Sequence, residues 1–176
     1  MISWRDSSGP KTTLCIAGLG LLLVASAQNS PALPLSTQGF RQPNGPSYAL
    51  SMTSDSRHVL IRSEASNLVP GDTNGVADLF LVDTTLRSVA LITRSRQGVA
   101  NGATLRGMIS DTGAVIIETS ATNLATGITD ANGAPDILYR EPNGDWRYLS
   151  IDAARNPVSG RDPHITPDGM WCAWVQ

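Results

Sequence analysis

Residues 65–80 read ASNLVPGDTNGVADLF and residues 121–138 read ATNLATGITDANGAPDIL, so the chain repeats itself. Asn67 and Asn123 are 56 residues apart, whereas Asp72 and Asp130 are 58 apart, because the second copy carries two additional residues between the halves of the motif. A repeat of this length is one supersecondary unit that cannot bury its apolar face alone, so stacked copies must form the core. The repeat indicates the architecture much more directly than it indicates an activity.

Each copy is predicted to contain four short β-strands. The strands of the first copy are expected at 48–53, 58–63, 78–83 and 88–95, and those of the second at 106–110, 114–120, 136–140 and 146–152. The short runs, the β-branched residues at 115–117 and the close spacing of turn residues favour strands over helices. The segment 79–82 is apolar on both alternating faces, so we expect it to be covered on both sides.

Four strands per repeat without a helix predict an all-β protein made of β-propeller blades, each a four-stranded antiparallel sheet. A third copy begins near Arg161, and its residues 171–175 align with the second strand of the earlier copies. Propellers close with about 4 to 8 blades. Two complete copies and part of a third therefore predict a fragment, completed by further blades of a longer chain or by self-association. The isolated chain is expected to be marginally stable.

The N-terminus predicts export. Residues 1–27 combine the basic residues Arg5 and Lys11 with an apolar run at 14–24 and small residues at 25–27, as in a secretory signal peptide. The apolar run is shorter than the about 20 residues that a membrane span needs, although an uncleaved anchor is an alternative. We therefore expect a periplasmic or secreted protein with no membrane span after signal cleavage.

The rest of the chain divides according to composition and repeat. Residues 28–46 are rich in Pro, Ser, Gln and Asn and read as a linker or leader. The propeller repeats then occupy 47–176, as 47–100, 101–160 and a partial copy at 161–176. The formal net charge of the whole chain is −2, which argues against binding of nucleic acid.

Two further segments carry a family resemblance. Residues 110–124, with a Ser-Asp-Thr-Gly turn, an apolar strand and Ser-Ala-Thr-Asn-Leu, resemble the repeat of TolB-like (WD-repeat-like) β-propeller proteins. Residues 71–83 are similar to a loop that recurs from blade to blade in exported bacterial members. The resemblance implies a β-propeller, export, and a protein-interaction or scaffold role without catalysis. Ser56, where a glycine is usual, the two additional residues before Asp130, and Pro135 depart from the pattern.

The repeated Asp-x-Asn-Gly-x-x-Asp motif is the constellation with metal-ligand character. Its oxygen-bearing residues surround a glycine, as in calcium loops, and the candidate ligands are Asp72, Asn74, Asp78, Asp130, Asn132 and Asp136. An EF-hand-type loop would add a bidentate Glu, which this motif lacks. The alternative is an Asx-turn, in which the Asp and Asn side chains accept hydrogen bonds from backbone amides. Ca²⁺ is therefore a possible ligand, and no other cofactor is predicted.

Other catalytic patterns find little support. The sequence lacks a Gly-x-Ser-x-Gly elbow, and its two histidines, His58 and His164, fall at positions where the repeat expects strand residues. Cys172 is expected to be a buried, inert thiol. Trp146, Trp171 and Trp174 are expected to pack against strands rather than bind sugars. No catalytic residue is predicted.

Three functions follow, in order of preference. The first is an exported, non-enzymatic propeller module that binds a protein or a component of the cell envelope. The second is the propeller domain of a larger hydrolase or peptidase whose catalytic domain lies elsewhere. The third is a calcium-stabilised surface or adhesion protein.

Overall fold

The computed structural model describes residues 41–176. The predicted signal peptide at 1–27 and residues 28–40 of the predicted linker lie outside the described residues. Within 41–176 every regular element is a β-strand, and no helix there is long and apolar enough to cross a membrane. The twelve strands are β1 (Ser47–Met52), β2 (His58–Ser63), β3 (Asp78–Asp83), β4 (Ser88–Leu91), β5 (Arg94–Ser95), β6 (Gly98–Val99), β7 (Thr104–Ile109), β8 (Val115–Thr119), β9 (Asp136–Arg140), β10 (Trp146–Tyr148), β11 (Arg161–Ile165) and β12 (Cys172–Val175).

The strands form two four-stranded antiparallel sheets of the same topology. The first has the order β1-β2-β3-β4 and the second β7-β8-β9-β10, so each strand pairs with its neighbour in sequence. Strands β11 and β12 pair as the beginning of a third sheet. The predicted all-β fold of propeller blades is confirmed. The triplets 59–61 and 115–117 lie on the equivalent inner strands β2 and β8, as the repeat predicts.

Apolar side chains alternate between the two faces of each blade. Leu60 and Leu79 of the first blade pack in one cluster with residues of the second blade such as Val115 and Ile117. The alternate residue Ile116 faces the other way, where it joins a cluster with Ile165 and Trp174 of the partial third blade. Because the blades share these clusters, burial between neighbours forms the core, as expected for stacked repeats. Residues 79–82 are covered on both faces: Leu79, Phe80 and Val82 are buried and Leu81 is half-buried.

Two fourth strands end earlier than predicted. The strand expected at 88–95 stops at Leu91, because the Arg94 amide bonds to the Ile92 carbonyl and the chain turns into the short β5–β6 hairpin. The strand expected at 146–152 stops at Tyr148, where the amides of Leu149 and Ser150 both donate to Ile137. A shared acceptor interrupts the regular ladder, which the apolar pattern of the sequence does not reveal.

An asparagine cluster closes the loop after the second strand of each blade. Asn44 donates through Nδ2 to Ser66 Oγ (3.1 Å) and accepts the Ser66 amide (2.9 Å), while its own amide donates to Asn67 Oδ1 (3.0 Å). The second blade repeats these bonds with Asn101, Thr122 and Asn123. The repeated Asn residues thus fix the path of the loop that leads to the third strand.

The turn before the second strand also recurs. Ser56, Gly113 and Gly169 occupy the same position, with φ of 59°, 86° and 73°, so all three adopt the left-handed conformation. In each turn this residue donates its amide to the carbonyl three positions earlier. Ser56 therefore adopts a conformation that normally favours glycine.

These turns connect neighbouring blades. The amide and hydroxyl of Ser54 both donate to the carboxylate of Asp111, each at 2.7 Å. The Asp111 amide in turn donates to the carbonyl of Pro167, again at 2.7 Å. The three residues occupy the same turn position in successive copies, so one series of hydrogen bonds runs along the stack.

Candidate metal centre

The two candidate loops lie at equivalent places, between the second and third strands of the two complete blades. Asp78 and Asp136 are the first residues of β3 and β9, and both are fully buried. Asp72 is also buried, whereas Asp130 is half-buried and Asn132 is exposed. The second loop is therefore more open to solvent than the first.

In the first loop, internal donors occupy both oxygens of Asp78. Thr93 donates its hydroxyl to Oδ1, and Asn74 donates Nδ2 to Oδ2 at 2.7 Å. Asn74 Nδ2 also donates to the Ala100 carbonyl (2.9 Å), and its Oδ1 accepts the Val76 amide (3.2 Å). Asn74 thus forms an Asx-turn and directs nitrogen, not oxygen, at the carboxylate.

The carboxyl groups of the first loop are perturbed by their surroundings. Burial raises the pKa of Asp78, against the lowering effect of the hydrogen bonds from Thr93 and Asn74, and the Asp72 charge raises it further. Burial also raises the pKa of Asp72. In this loop both oxygens of the buried Asp78 already accept hydrogen bonds, one from Thr93 and one from Asn74.

The second loop has the same turn but a different pattern at its buried carboxylate. Asn132 Nδ2 donates to Asp136 Oδ1 (2.9 Å), and Asn132 Oδ1 accepts the Ala134 amide (2.8 Å). Ser150 donates to the same Asp136 Oδ1 (3.4 Å), and Asp130 Oδ1 accepts the Asn132 amide (3.2 Å). Both donors converge on Oδ1, so Asp136 Oδ2 has no hydrogen-bond partner among residues 41–176.

Two ionisable groups at the second loop, Asp136 and Tyr148, have raised pKa values. Burial is the largest cause of a pKa of about 6 for Asp136, and the neighbouring Asp130 carboxyl also raises it, while hydrogen bonds from Asn132 and Ser150 lower it. Burial, followed by the charges of Asp130 and Asp136, raises the pKa of the Tyr148 phenol. Tyr148 is buried, and its hydroxyl faces the Asp130 carboxyl without a hydrogen bond of regular geometry within the described part of the chain. The carboxyl groups of Asp130 and Asp136 and the Tyr148 phenol therefore lie together, and neither Asp136 Oδ2 nor the Tyr148 hydroxyl makes a regular hydrogen bond among residues 41–176.

The sequence analysis did not identify the hydroxyl residues that donate to Asp78 and Asp136. Thr93 and Ser150 accept the amides of Leu79 (3.2 Å) and Ile137 (2.9 Å) while donating to the aspartate that precedes each amide. The sequence did contain a signal for this contact, because a Ser or Thr follows the aspartate by 15 positions in the first blade and by 14 in the second. Tyr148 was missed as well. It pairs with Leu138 where Leu91 pairs with Phe80 in the first blade, so a polar group replaces an apolar one.

The other candidate residues lie apart from these loops. His58 Nε2 lies 3.4 Å from Asp83 Oδ2, which also accepts Arg57, and His164 is exposed on β11. Cys172 is half-buried rather than buried, and burial raises the pKa of its thiol, which keeps it protonated at neutral pH.

The tryptophans behave differently from one another. Trp146 is buried and donates Nε1 to the Arg94 carbonyl at 2.9 Å, and Trp174 is partly buried in the third cluster. Trp171 is 73% exposed, so the expectation that it packs against strands is wrong. It lies just before β12, outside the segment that the two paired strands cover.

In residues 41–176 no three His, Cys, Asp or Glu side chains converge as a ready metal cluster. The second loop offers two carboxyl groups, and further ligands would have to come from neutral oxygens. Among the six residues of the motif, both oxygens of the buried Asp78 thus have donors, whereas Oδ2 of the buried Asp136 has none among residues 41–176.

No protein-family model matches the chain, and no curated protein matches it. Among solved structures, the chain is similar to TolB from Acinetobacter baumannii, with a TM-score of 0.45 and 19% sequence identity. The match covers 78% of this chain and 27% of that protein, so the chain spans about a quarter of its length. The topology of the two four-stranded sheets is the basis for assigning them as propeller blades.

Proposed function

We propose that the protein is an exported, non-enzymatic propeller module that binds a protein or a component of the cell envelope through the first strands of its blades. The observation that supports this proposal is a set of exposed large apolar side chains on β1 and β7. Tyr48 is 55% exposed, Met52 49% and Leu105 38%.

These side chains lie on neighbouring edge strands. Strands β1 and β7 are the first strands of the two sheets, and the Ile109 amide donates to Ser51 Oγ at 2.9 Å between them. Apolar residues exposed on adjacent strands expose more apolar surface together than single scattered residues do, and such surface is typical of interaction sites. Stacked repeats commonly use the extended surface that their equivalent strands create.

Site-specific photo-crosslinking in envelope extracts tests this proposal. A photoreactive phenylalanine analogue is placed at Tyr48 or Leu105, and the matched control carries it at Leu86, which is 68% exposed on the turn between β3 and β4. We expect the same crosslinked partner from Tyr48 on β1 and Leu105 on β7, and none from the control. The partner should then bind the purified wild-type protein, and Tyr48→Ser with Leu105→Ser should weaken that binding at least tenfold.

Equal crosslinking from the Leu86 position would show that the first strands β1 and β7 are not the binding surface. Hydrolysis of ester or peptide substrates by the full-length protein would instead favour the propeller domain of a hydrolase. Circular dichroism of each variant checks that the sheets remain folded, so that lost binding is not lost structure.

A further inference from the structure

The second loop contains a buried carboxylate oxygen that the fold leaves without a donor. Asp136 is fully buried, and its Oδ2 has no hydrogen-bond partner among residues 41–176. Removing a carboxylate oxygen from water without a compensating contact is strongly unfavourable. A cation bound at this oxygen would remove that penalty.

A second group supports a ligand at the same place. Tyr148 is 5% exposed, and its hydroxyl faces the Asp130 carboxyl without a hydrogen bond of regular geometry in the described range. The charges of Asp130 and Asp136 act on this phenol and contribute to its raised pKa, after burial itself. Tyr148 pairs with Leu138, which lies on the same face of β9 as Asp136. Asn132 donates to both Asp130 and Asp136. The three oxygen-bearing side chains therefore belong to one small polar cluster.

We propose that the loop of the second blade binds one Ca²⁺ ion between the carboxylates of Asp130 and Asp136, beside the Tyr148 hydroxyl, and that the loop of the first blade does not. This inference does not depend on the partner-binding function proposed above.

The chemistry of the donors favours calcium. All three side chains present oxygen, the ligand atom that Ca²⁺ takes in sets of 6 to 8 with flexible geometry. Asp130 is half-buried beside the exposed Asn132, so water can reach the remaining positions. Asn132 itself uses its oxygen for the Ala134 amide and its nitrogen for Asp136, so it positions the carboxylate rather than binding the ion.

The first blade lacks these features. Donors from Thr93 and Asn74 occupy both oxygens of Asp78. Leu91 stands where the second blade has Tyr148, and Asp72 is buried rather than half-exposed. The two copies, which share the Asp-x-Asn-Gly-x-x-Asp pattern, thus differ in the oxygens that they leave free.

Terbium luminescence tests the proposal, because Tb³⁺ takes the same hard oxygen ligands as Ca²⁺ and is sensitised by a nearby tyrosine. Tb³⁺ is titrated into the chelator-treated protein and then displaced with Ca²⁺. With two carboxylates we expect a dissociation constant for Ca²⁺ on the order of 10⁻⁴ to 10⁻³ M. Asp136→Asn and Asp130→Asn should each weaken Ca²⁺ binding at least tenfold, whereas the matched first-loop variant Asp78→Asn should change it less than twofold.

Several results would overturn the assignment. One is the absence of displacement by about 10 mM Ca²⁺, well above the expected dissociation constant. Another is an equal loss of binding in Asp78→Asn and Asp136→Asn. If Asp136→Asn fails to fold, Asp130→Asn decides alone, since its side chain is half-exposed, and retained affinity in that variant excludes the site. If the wild-type protein does not bind Ca²⁺ and the Asp136→Asn variant is more stable than the wild type, a proton and not a metal ion occupies the cluster.

Discussion

Replacing Ser56 by glycine should stabilise the protein, because Ser56 adopts a φ of 59° at the position where the other two turns have glycine. A residue with a Cβ in the left-handed conformation costs about 1–2 kcal/mol. Glycine loses more backbone entropy on folding, which offsets about 0.5–1 kcal/mol of that gain. The hydrogen bonds of Ser56 use its backbone amide and carbonyl, so Ser56→Gly keeps them. The net expectation is a gain of about 0.5–1 kcal/mol.

The matched variant is Gly113→Ala, the reverse change in the second blade. A Cβ built on Gly113 meets no atom within 4 Å, so the backbone conformation, with its φ of 86°, is the source of the expected cost. We expect a loss of about 1 kcal/mol. The two variants should therefore shift stability in opposite directions although both alter the same turn position.

Urea unfolding followed by tryptophan fluorescence measures both effects. With an m-value of about 2 kcal/mol/M, Ser56→Gly should raise the midpoint by about 0.3–0.5 M without changing m. A lower midpoint for Ser56→Gly, or a higher one for Gly113→Ala, would refute the assignment of strain to this position. A changed m-value would indicate a different denatured state instead.

Three other changes probe the blades. Gly102→Ala should cost about 1–3 kcal/mol in urea unfolding, because a Cβ there would overlap the Ser120 carbonyl oxygen. Leu60→Ala should cost about 2–5 kcal/mol, since it opens a cavity at a fully buried position between blades, whereas Leu86→Ala on an exposed turn should stay within about 0.5 kcal/mol; thermal melting compares the two. Burial raises the pKa of Asp78 above its ordinary value of 3.8, so the native state retains a proton that the unfolded state has lost. The stability of the wild type relative to Asp78→Asn should therefore fall as the pH rises above that value, and urea midpoints from pH 3 to 7 that show the opposite slope would contradict it.

The sequence predicted the strands well because their signals are local. The boundaries of β2, β3 and β9 agree with the alternation of apolar residues, and the turn glycines mark where the chain reverses. The ends of the fourth strands were missed, since the Arg94–Ile92 hydrogen bond after β4 and the shared acceptor at Ile137 after β10 depend on the path of the chain and not on composition.

The candidate site was predicted less completely. The repeated Asp and Asn residues do form two equivalent turns, but the shared motif does not show which oxygens each turn leaves without a donor. The difference arises from Tyr148, which lies across the sheet from the motif, and from donors that converge on a single oxygen of Asp136. Such relations between distant residues appear only when the strands are paired.

The hydrogen bonds between successive turns give the stack of blades a direction. The Ser54 amide donates forward to Asp111, and the Asp111 amide donates forward to the Pro167 carbonyl. Duplication of one blade within the gene would extend this series, because each new turn brings a backbone amide and an acceptor at the same position. Pro167 interrupts it, since proline has no amide proton to donate to a turn beyond it. A further turn packed against this position would therefore receive no backbone hydrogen bond from it.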